Sequence, residues 1–370
     1  MLTMGNPFKE YLHGMKAEKK ERGRKGDAQA SIDRICEQVE EQLLAENVDV
    51  SEQEAILKNI RRFCDTQTNI MLVGATGCGK SSTINALFAC GQEEADCIQV
   101  AKVGTRADPE TKSIEKYEIG NLVLWDTPGL GDGREEDEGH ARLIRELLWE
   151  EQEDGEALID LVLVVLEGSS RDLGTVYKVI REVILPELKG EERRILIALN
   201  QADVAMKTGR HWDYERNAPD KVLVDFLNEA VGSIHDRILA DTGLEVTPIY
   251  YCAGYREEGG AVVRPYNLAK LLYYIMESLP AQKRLAVAAG LNTDEENYAD
   301  SDEEMDYGEE VVRDIYDIAS EIIDRCVDTC ADFGGQAFGE VGEKIGAVVG
   351  GAVGLAGALF RSLFYAVTKK

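Results

Sequence analysis

The sequence predicts an α/β fold: a six-stranded, mostly parallel sheet with one antiparallel strand, covered by helices and flanked by N- and C-terminal helical segments. Three observations predict it. Strand-like and helix-like patterns alternate between residues 70 and 279, the signature of a sheet wound with helices. The run Leu161-Val162-Leu163-Val164-Val165-Leu166 is apolar at every position, as a strand buried on both faces must be. Only Gly120-Asn121 separates two neighbouring strand-like runs, a turn too short for anything but a hairpin, so one strand runs antiparallel to the rest.

In chain order, residues 1–27 form a basic polar tail in which Lys16, Lys19, Lys20, Arg22, Arg24 and Lys25 lie close together. A solvated tail and a contact site for RNA or acidic lipid both fit that composition. No apolar run there has the length of a secretory signal. Residues 28–66 read as a helical segment, since Ile32, Ile35, Cys36, Val39 and Leu43, then Ile56, Leu57, Ile60 and Phe63, recur at helical spacing. The main domain is expected over 67–284, with strands at 70–73, 113–119, 122–125, 158–166, 195–199 and 246–252. Helical patterns occupy 80–90, 138–150, 174–188, 220–240 and 266–279 between them. An acidic linker is expected over 285–310, because 292–310 carries ten carboxylates and no base and so reads as solvated.

Residues 311–370 form a C-terminal helical region. Val311, Ile315, Ile318, Ile322 and Cys326 mark an amphipathic helix. Gly342, Gly346, Gly350 and Gly354 then repeat every fourth residue through the charge-free run 345–360, which places small residues on one helical face and lets two helices approach closely. An intramolecular helix pair, an oligomer contact and insertion into a membrane all fit. The charge-free run is shorter than the roughly twenty residues that span a bilayer.

Composition narrows the function. The chain of 370 residues accommodates one domain with appendages, and its net charge of −28 argues against bulk DNA binding. The eight cysteines contain no C-x-x-C pair, which reads as reduced thiols in a cytoplasmic protein; the glycine-spaced tail leaves a peripheral position at an inner membrane open.

The chemistry is carried by Gly74-Ala75-Thr76-Gly77-Cys78-Gly79-Lys80-Ser81, followed by Ser82, between a strand-like run and a helix-like one. This is a phosphate-binding loop in its required context. Glycines let successive backbone N–H groups turn toward phosphates, and the following helix points its positive end at them. Lys80 supplies a charge to the β- and γ-phosphates, and the Ser81 hydroxyl suits a magnesium ion bridging them. Asp126-Thr127-Pro128-Gly129 ends the third strand; in a nucleotide switch the acid holds magnesium through a water and the Gly129 N–H meets the γ-phosphate. Asn200-Gln201-Ala202-Asp203 follows the fifth strand, where a carboxylate accepts guanine N1–H and the exocyclic amine, a donor pair that adenine lacks. Tyr251-Cys252-Ala253-Gly254 closes the sixth strand and offers the Ala253 N–H to guanine O6.

These four segments, over roughly residues 69–279, resemble the P-loop G domains of translation-factor-class GTPases, in particular the Era-like and the septin-like or immunity-related branches. The stretches from Gly74 to Phe88 and from Trp125 to Asp132 are most similar to bacterial Era-like GTPases of the prophage-associated type. The resemblance implies GTP and GDP as ligands, Mg2+ as cofactor, GTP hydrolysis and a conformational switch. It implies a first-switch threonine as well: Thr111 precedes the second strand as the family's threonine does, while Thr105 lies at the more Ras-like spacing, and Thr111 is preferred. Lys80, Thr111 and Gly129 would then be the catalytic set, and Ser81, Thr111 and Asp126 the magnesium set.

Two departures from the family pattern matter. Gln201 replaces the lysine of N-K-x-D, which lowers the expected affinity. Leu130 stands where Ras-like enzymes carry the glutamine that orients water, so slow turnover is expected unless a partner, a dimer or a remodelled loop completes the site. Gly77 occupies the position of the asparagine that holds potassium in some relatives, which argues against a potassium-driven mechanism. His140 and His211 have no partner acid evident in the sequence and read as surface residues. A switch enzyme and a GTP-regulated scaffold or membrane-remodelling module with negligible hydrolysis both fit these features. A homodimer through the G domain and contacts with ribosome, RNA or membrane stay open as partners.

Overall fold

A computed structural model describes residues 66–88, 114–131, 133–152, 155–169, 174–188, 191–206, 211–256, 262–292, 294–315 and 317–318. The basic tail, the N-terminal helical pattern up to residue 65, Thr105, Thr111 and the glycine-spaced tail lie outside the described residues. The chain runs β1 (Thr68–Gly74), α1 (Lys80–Leu87), β2 (Glu115–Ile119), β3 (Leu122–Asp126), α2 (Arg134–Trp149) and β4 (Leu161–Glu167). Next come α3 (Gly174–Val179), a π turn (Ile180–Ile184), α4 (Leu185–Leu188) and β5 (Ile195–Asn200). The short strands β6 (Trp212–Asp213) and β7 (Ala218–Pro219) precede α5 (Lys221–Thr242) and β8 (Ile249–Tyr250). The strands β9 (Tyr255–Arg256) and β10 (Val262–Val263) lead into α6 (Leu268–Ser278) and α7 (Ala281–Ala289).

The sheet has the order β2-β3-β1-β4-β5-β8. All its pairings are parallel except β2 with β3, which are joined through Gly120-Asn121. This is the expected six-stranded, mostly parallel sheet, with its one antiparallel strand at the edge. Side chains alternate across a strand, so β1 feeds two cores. Ile70 and Leu72 join Leu124, Leu163 and Val165 beneath α1, α6 and α7. Met71 and Val73 join Val162, Val164 and Leu166 against α2, α3 and α5.

Boundaries differ where local pattern is weakest. α2 starts at Arg134 rather than 138, because its first turn is acidic (Glu135, Glu136, Asp137): such a turn suits the positive helix end and carries no apolar period. β8 is only two residues long, since β5 offers it only Ala198 and Leu199 as partners.

The acidic stretch corrects the expectation more substantially: the described residues of 292–310 are not a solvated linker. Asn292 N–H donates to Leu87 O at 2.8 Å, and the buried Tyr298 hydroxyl donates to the same carbonyl at 3.0 Å. Lys270 Nζ lies 2.6 Å from Asp302 and 2.8 Å from Glu304, and Arg264 lies 3.1 Å from Asp300. Residues 307–315 are helical, and Tyr307, Val311, Val312 and Ile315 enter the α1-side core. Asp300, Asp302 and Glu304 meet cations of the domain, and the apolar residues of the stretch anchor it there.

Candidate functional site

The parallel strands β3, β1, β4, β5 and β8 end at one edge of the sheet, and the loops that leave β1, β3, β5 and β8 form the site. At the end of β1 the chain turns tightly over its neighbours. A Cβ at Gly74 would strike the Val165 carbonyl of β4, and one at Gly79 the Asn200 amide. Gly77 and Gly79 hold φ of 80° and 92°, a conformation that costs glycine little. Lys80 is buried, and its Nζ donates to the Gly74 and Ala75 carbonyls at 3.2 and 3.3 Å. The first turn of α1 holds no acidic residue, so no side chain of that turn competes with an anion for the helix end. Cys78 is fully buried, and burial raises its thiol pKa, which leaves it a packing residue inside the loop.

Ser81 Oγ donates to Asp126 Oδ2 at 2.8 Å. Asp126 is buried, and its Oδ1 has no hydrogen-bond partner. Burial pushes this carboxyl upward, against the opposing effects of Lys80 and Ser81. A buried carboxylate oxygen without a donor is costly, and a hard cation that prefers oxygen ligands satisfies it. Among the described residues no group of three or more His, Cys, Asp or Glu side chains could hold a metal. Ser81 and Asp126 fit magnesium best when a ligand's own oxygens complete its shell.

The loop after β3 lies on the phosphate loop. Thr127 Oγ1 donates to Leu72 O at 2.7 Å. Leu130 N–H donates to Gly74 O at 3.1 Å, and Leu130 O accepts from Thr76 N–H at 3.0 Å. Gly129 is required by this approach, because a Cβ there would meet the Thr76 side chain and backbone. The Leu130 side chain turns into the α2-side core and does not face the phosphate loop's open side.

At the other end, Asn200 bonds to two neighbouring loops: its Nδ2 donates to Cys78 O at 2.9 Å and its Oδ1 accepts from Ala253 N–H at 2.9 Å. The Ala253 N–H, expected to meet guanine O6, donates to Asn200 in this structure and links β5 to the β8 loop. Gln201 adopts φ 62° and reaches Gly77 O with its Nε2 at 2.9 Å. Asp203 is buried, and its Oδ1 accepts the Cys252 thiol at 3.2 Å. Burial and then the Asp203 charge push that thiol upward, so it stays a donor.

The structure brings together Gly74, Ala75, Thr76, Gly77, Cys78, Gly79, Lys80, Ser81, Asp126 and Gly129 at one end of the site, with Asn200, Gln201, Asp203 and Cys252 at the other. Ser82 is the third residue of α1. Sequence reasoning missed three features. Thr83 Oγ1 and the fully buried Tyr251 hydroxyl lie 2.6 Å apart and tie α1 to the β8 loop. His211 does have a partner acid, Asp220, at 2.7 Å. His140 is half-buried with its Nδ1 2.8 Å from the Gly129 carbonyl; its place eleven residues after the D-T-P-G motif is a signal only once α2 is known to double back on the loop.

The chain matches the family model described as Interferon-inducible GTPase (IIGP) over residues 29–140, a stretch that contains the phosphate loop and the D-T-P-G segment. It is 23% identical over 217 residues to Interferon-gamma-inducible GTPase 10 of Mus musculus, covering 58% of this chain and 45% of that one. It is 32% identical over 159 residues to the uncharacterized protein YfjP of Escherichia coli strain K12, covering 42% and 48%. The chain thus spans less than half the length of these relatives. Among solved structures it is similar to Toc33 from Arabidopsis thaliana in complex with Mg2+ and GMPPNP, with 18% identity and a TM-score of 0.36 over 57% of this chain and 82% of that one.

Proposed function

We propose that the chain is a guanine-nucleotide switch that hydrolyses GTP to GDP and phosphate with slow intrinsic turnover. The observation that carries this is the pairing, across one line of loops, of Lys80 and the Ser81–Asp126 contact at one end with the buried Asp203 carboxylate at the other. The family match supports the guanine reading, and the Era-like assignment rests on the phosphate-loop and D-T-P-G wording alone. The phosphate-loop N–H groups and Lys80 hold the β- and γ-phosphates and neutralise charge that develops during in-line attack by water. Magnesium, with Ser81, Asp126 and Thr111 as its protein ligands, supplies further positive charge there when bound. Gly129 N–H reads the γ-phosphate, so the loop around it differs between GTP and GDP. Leu130 lies in the core and offers nothing to the attacking water, which accounts for slow turnover.

A cytoplasmic protein that completes its site by pairing through the G domain belongs to the same proposal. The second reading, a GTP-regulated scaffold or membrane-remodelling module with negligible hydrolysis, is favoured by the same buried Leu130. Among the described residues no helix is long and apolar enough to cross a membrane.

Titration calorimetry with GDP, GTP and ATP tests the assignment. GDP and GTP should bind and ATP should not compete; Lys80→Ala should lose nucleotide binding, and Asp203→Asn should shift preference toward xanthine nucleotides. Equal binding of ATP, or normal GTP affinity in Lys80→Ala, would overturn the reading. A turnover assay separates the switch from the scaffold.

A further inference from the structure

Two side chains of α2, outside every nucleotide motif, grip the loop after β3 on either side of Leu130. Asp137 Oδ1 accepts the Gly131 N–H at 2.7 Å, and His140 Nδ1 lies 2.8 Å from the Gly129 carbonyl. A carbonyl oxygen only accepts, so the His140 proton sits on Nδ1 in this contact. Asp137 and His140 are three apart on one helix, and residues at that spacing share a face. The same stretch is tied on its other side to the phosphate loop through Leu130 N–H to Gly74 O and Thr76 N–H to Leu130 O. The peptide joining Gly129 to Leu130 is therefore held at both polar ends, its carbonyl by His140 and its N–H by Gly74.

Side chains from Gly129 to Gly131 give the loop no polar hold of their own. Gly129 and Gly131 have no side chains, Gly131 sits at φ 102°, and Leu130 is buried in the core. The Gly129 N–H, which must meet the γ-phosphate in the function proposed above, belongs to the preceding peptide and takes its direction from the Gly129–Leu130 peptide that Gly74 and α2 hold.

We propose that Asp137 and His140 are positioning residues for GTP hydrolysis, a bracket from α2 that fixes the Gly129–Leu130 peptide and thereby the direction in which the adjoining Gly129 N–H faces the γ-phosphate. The proposal rests on the GTPase reading. GDP has no γ-phosphate, so the bracket matters little for GDP binding and strongly for turnover. It also couples the loop to α2, since a loop movement that keeps both contacts carries the first turns of the helix with it.

The test measures the GDP dissociation constant, KM and kcat for GTP, and amide hydrogen exchange in His140→Ala, His140→Asn, Asp137→Ala and Asp137→Asn, against unmodified protein at one fixed concentration. The asparagine amide can donate in place of Nδ1–H, and asparagine keeps the Oδ1 acceptor of Asp137. Loss of one orienting hydrogen bond predicts that either alanine variant loses about tenfold in kcat while GDP affinity stays within about twofold. Each asparagine variant should recover most of that loss, and the Gly131 amide should exchange faster in Asp137→Ala. Unchanged kcat in both alanine variants, an equal loss of GDP affinity, or no rescue by asparagine would overturn the positioning role while the GTPase reading stands. An unmodified protein that binds no guanine nucleotide would overturn both.

Discussion

Gln201 stands where the resembling family carries a lysine, and its contact with Gly77 O shows what survives the exchange. A lysine there braces the phosphate loop with its ammonium group; the shorter amide does so from a left-handed backbone at φ 62°. The contact is exposed and neutral, so Gln201→Ala should cost about 1 kcal/mol of GDP affinity, roughly fivefold, with little change in melting temperature. Asn200 is a different case, because its amide satisfies the Cys78 carbonyl and the Ala253 N–H in the interior. Asn200→Ala orphans both and should destabilise the fold by about 1 to 3 kcal/mol per group, measured by denaturant unfolding. At this scale each motif is local, so its residue types can be read from the sequence. It could not say which donor meets which acceptor: Ala253 was expected to face a base and instead serves Asn200, a pairing made across fifty-three residues.

Among elements, the sheet and its helices were legible because apolar periodicity is a local signal, and β1, β3, β4 and β5 agree with their patterns to within a few residues. The acidic stretch was not, because its partners lie elsewhere in the chain. Lys270 on α6 is buried together with Asp302, and Glu304 and Tyr307 stand beside them. Burial would lower the Lys270 pKa, but hydrogen bonds to Asp302 and Glu304 outweigh it and the net shift is upward. A lysine raised on folding contributes stability that is complete below its ordinary value of about 10.4 and is lost as pH rises through the higher folded value. The Lys270 contribution to docking should therefore hold across neutral pH and fade under strongly alkaline conditions. Lys270→Met leaves Asp302 buried without its counter-charge and should cost about 3 to 5 kcal/mol in urea unfolding. Adding Asp302→Leu should recover part of that loss; a Lys270→Met protein as stable as the parent would show that the pair does not anchor the stretch.

For the whole molecule, the docked stretch moves the point at which the chain can be cut. Tyr298, Tyr307, Val311, Val312 and Ile315 belong to the same core as Ile70, Leu72 and Leu124. Each buried side chain of this kind is worth about 1.5 to 3 kcal/mol, so losing all of them removes roughly as much as the 5 to 15 kcal/mol that holds a typical domain together. A protein ending at Leu291 should aggregate or melt far below the full chain. One ending at Cys326 keeps these residues and lacks the glycine-spaced tail, so it should melt with the full chain and bind GDP equally well. If that tail raises the effective concentration of paired G domains, specific GTPase activity should rise with protein concentration in the full chain and rise less in the protein ending at Cys326. Equal concentration dependence in the two would remove the tail from the pairing. A protein ending at Leu291 that unfolds at the same temperature as the full chain would show instead that residues 292–315 lie on a core already complete without them.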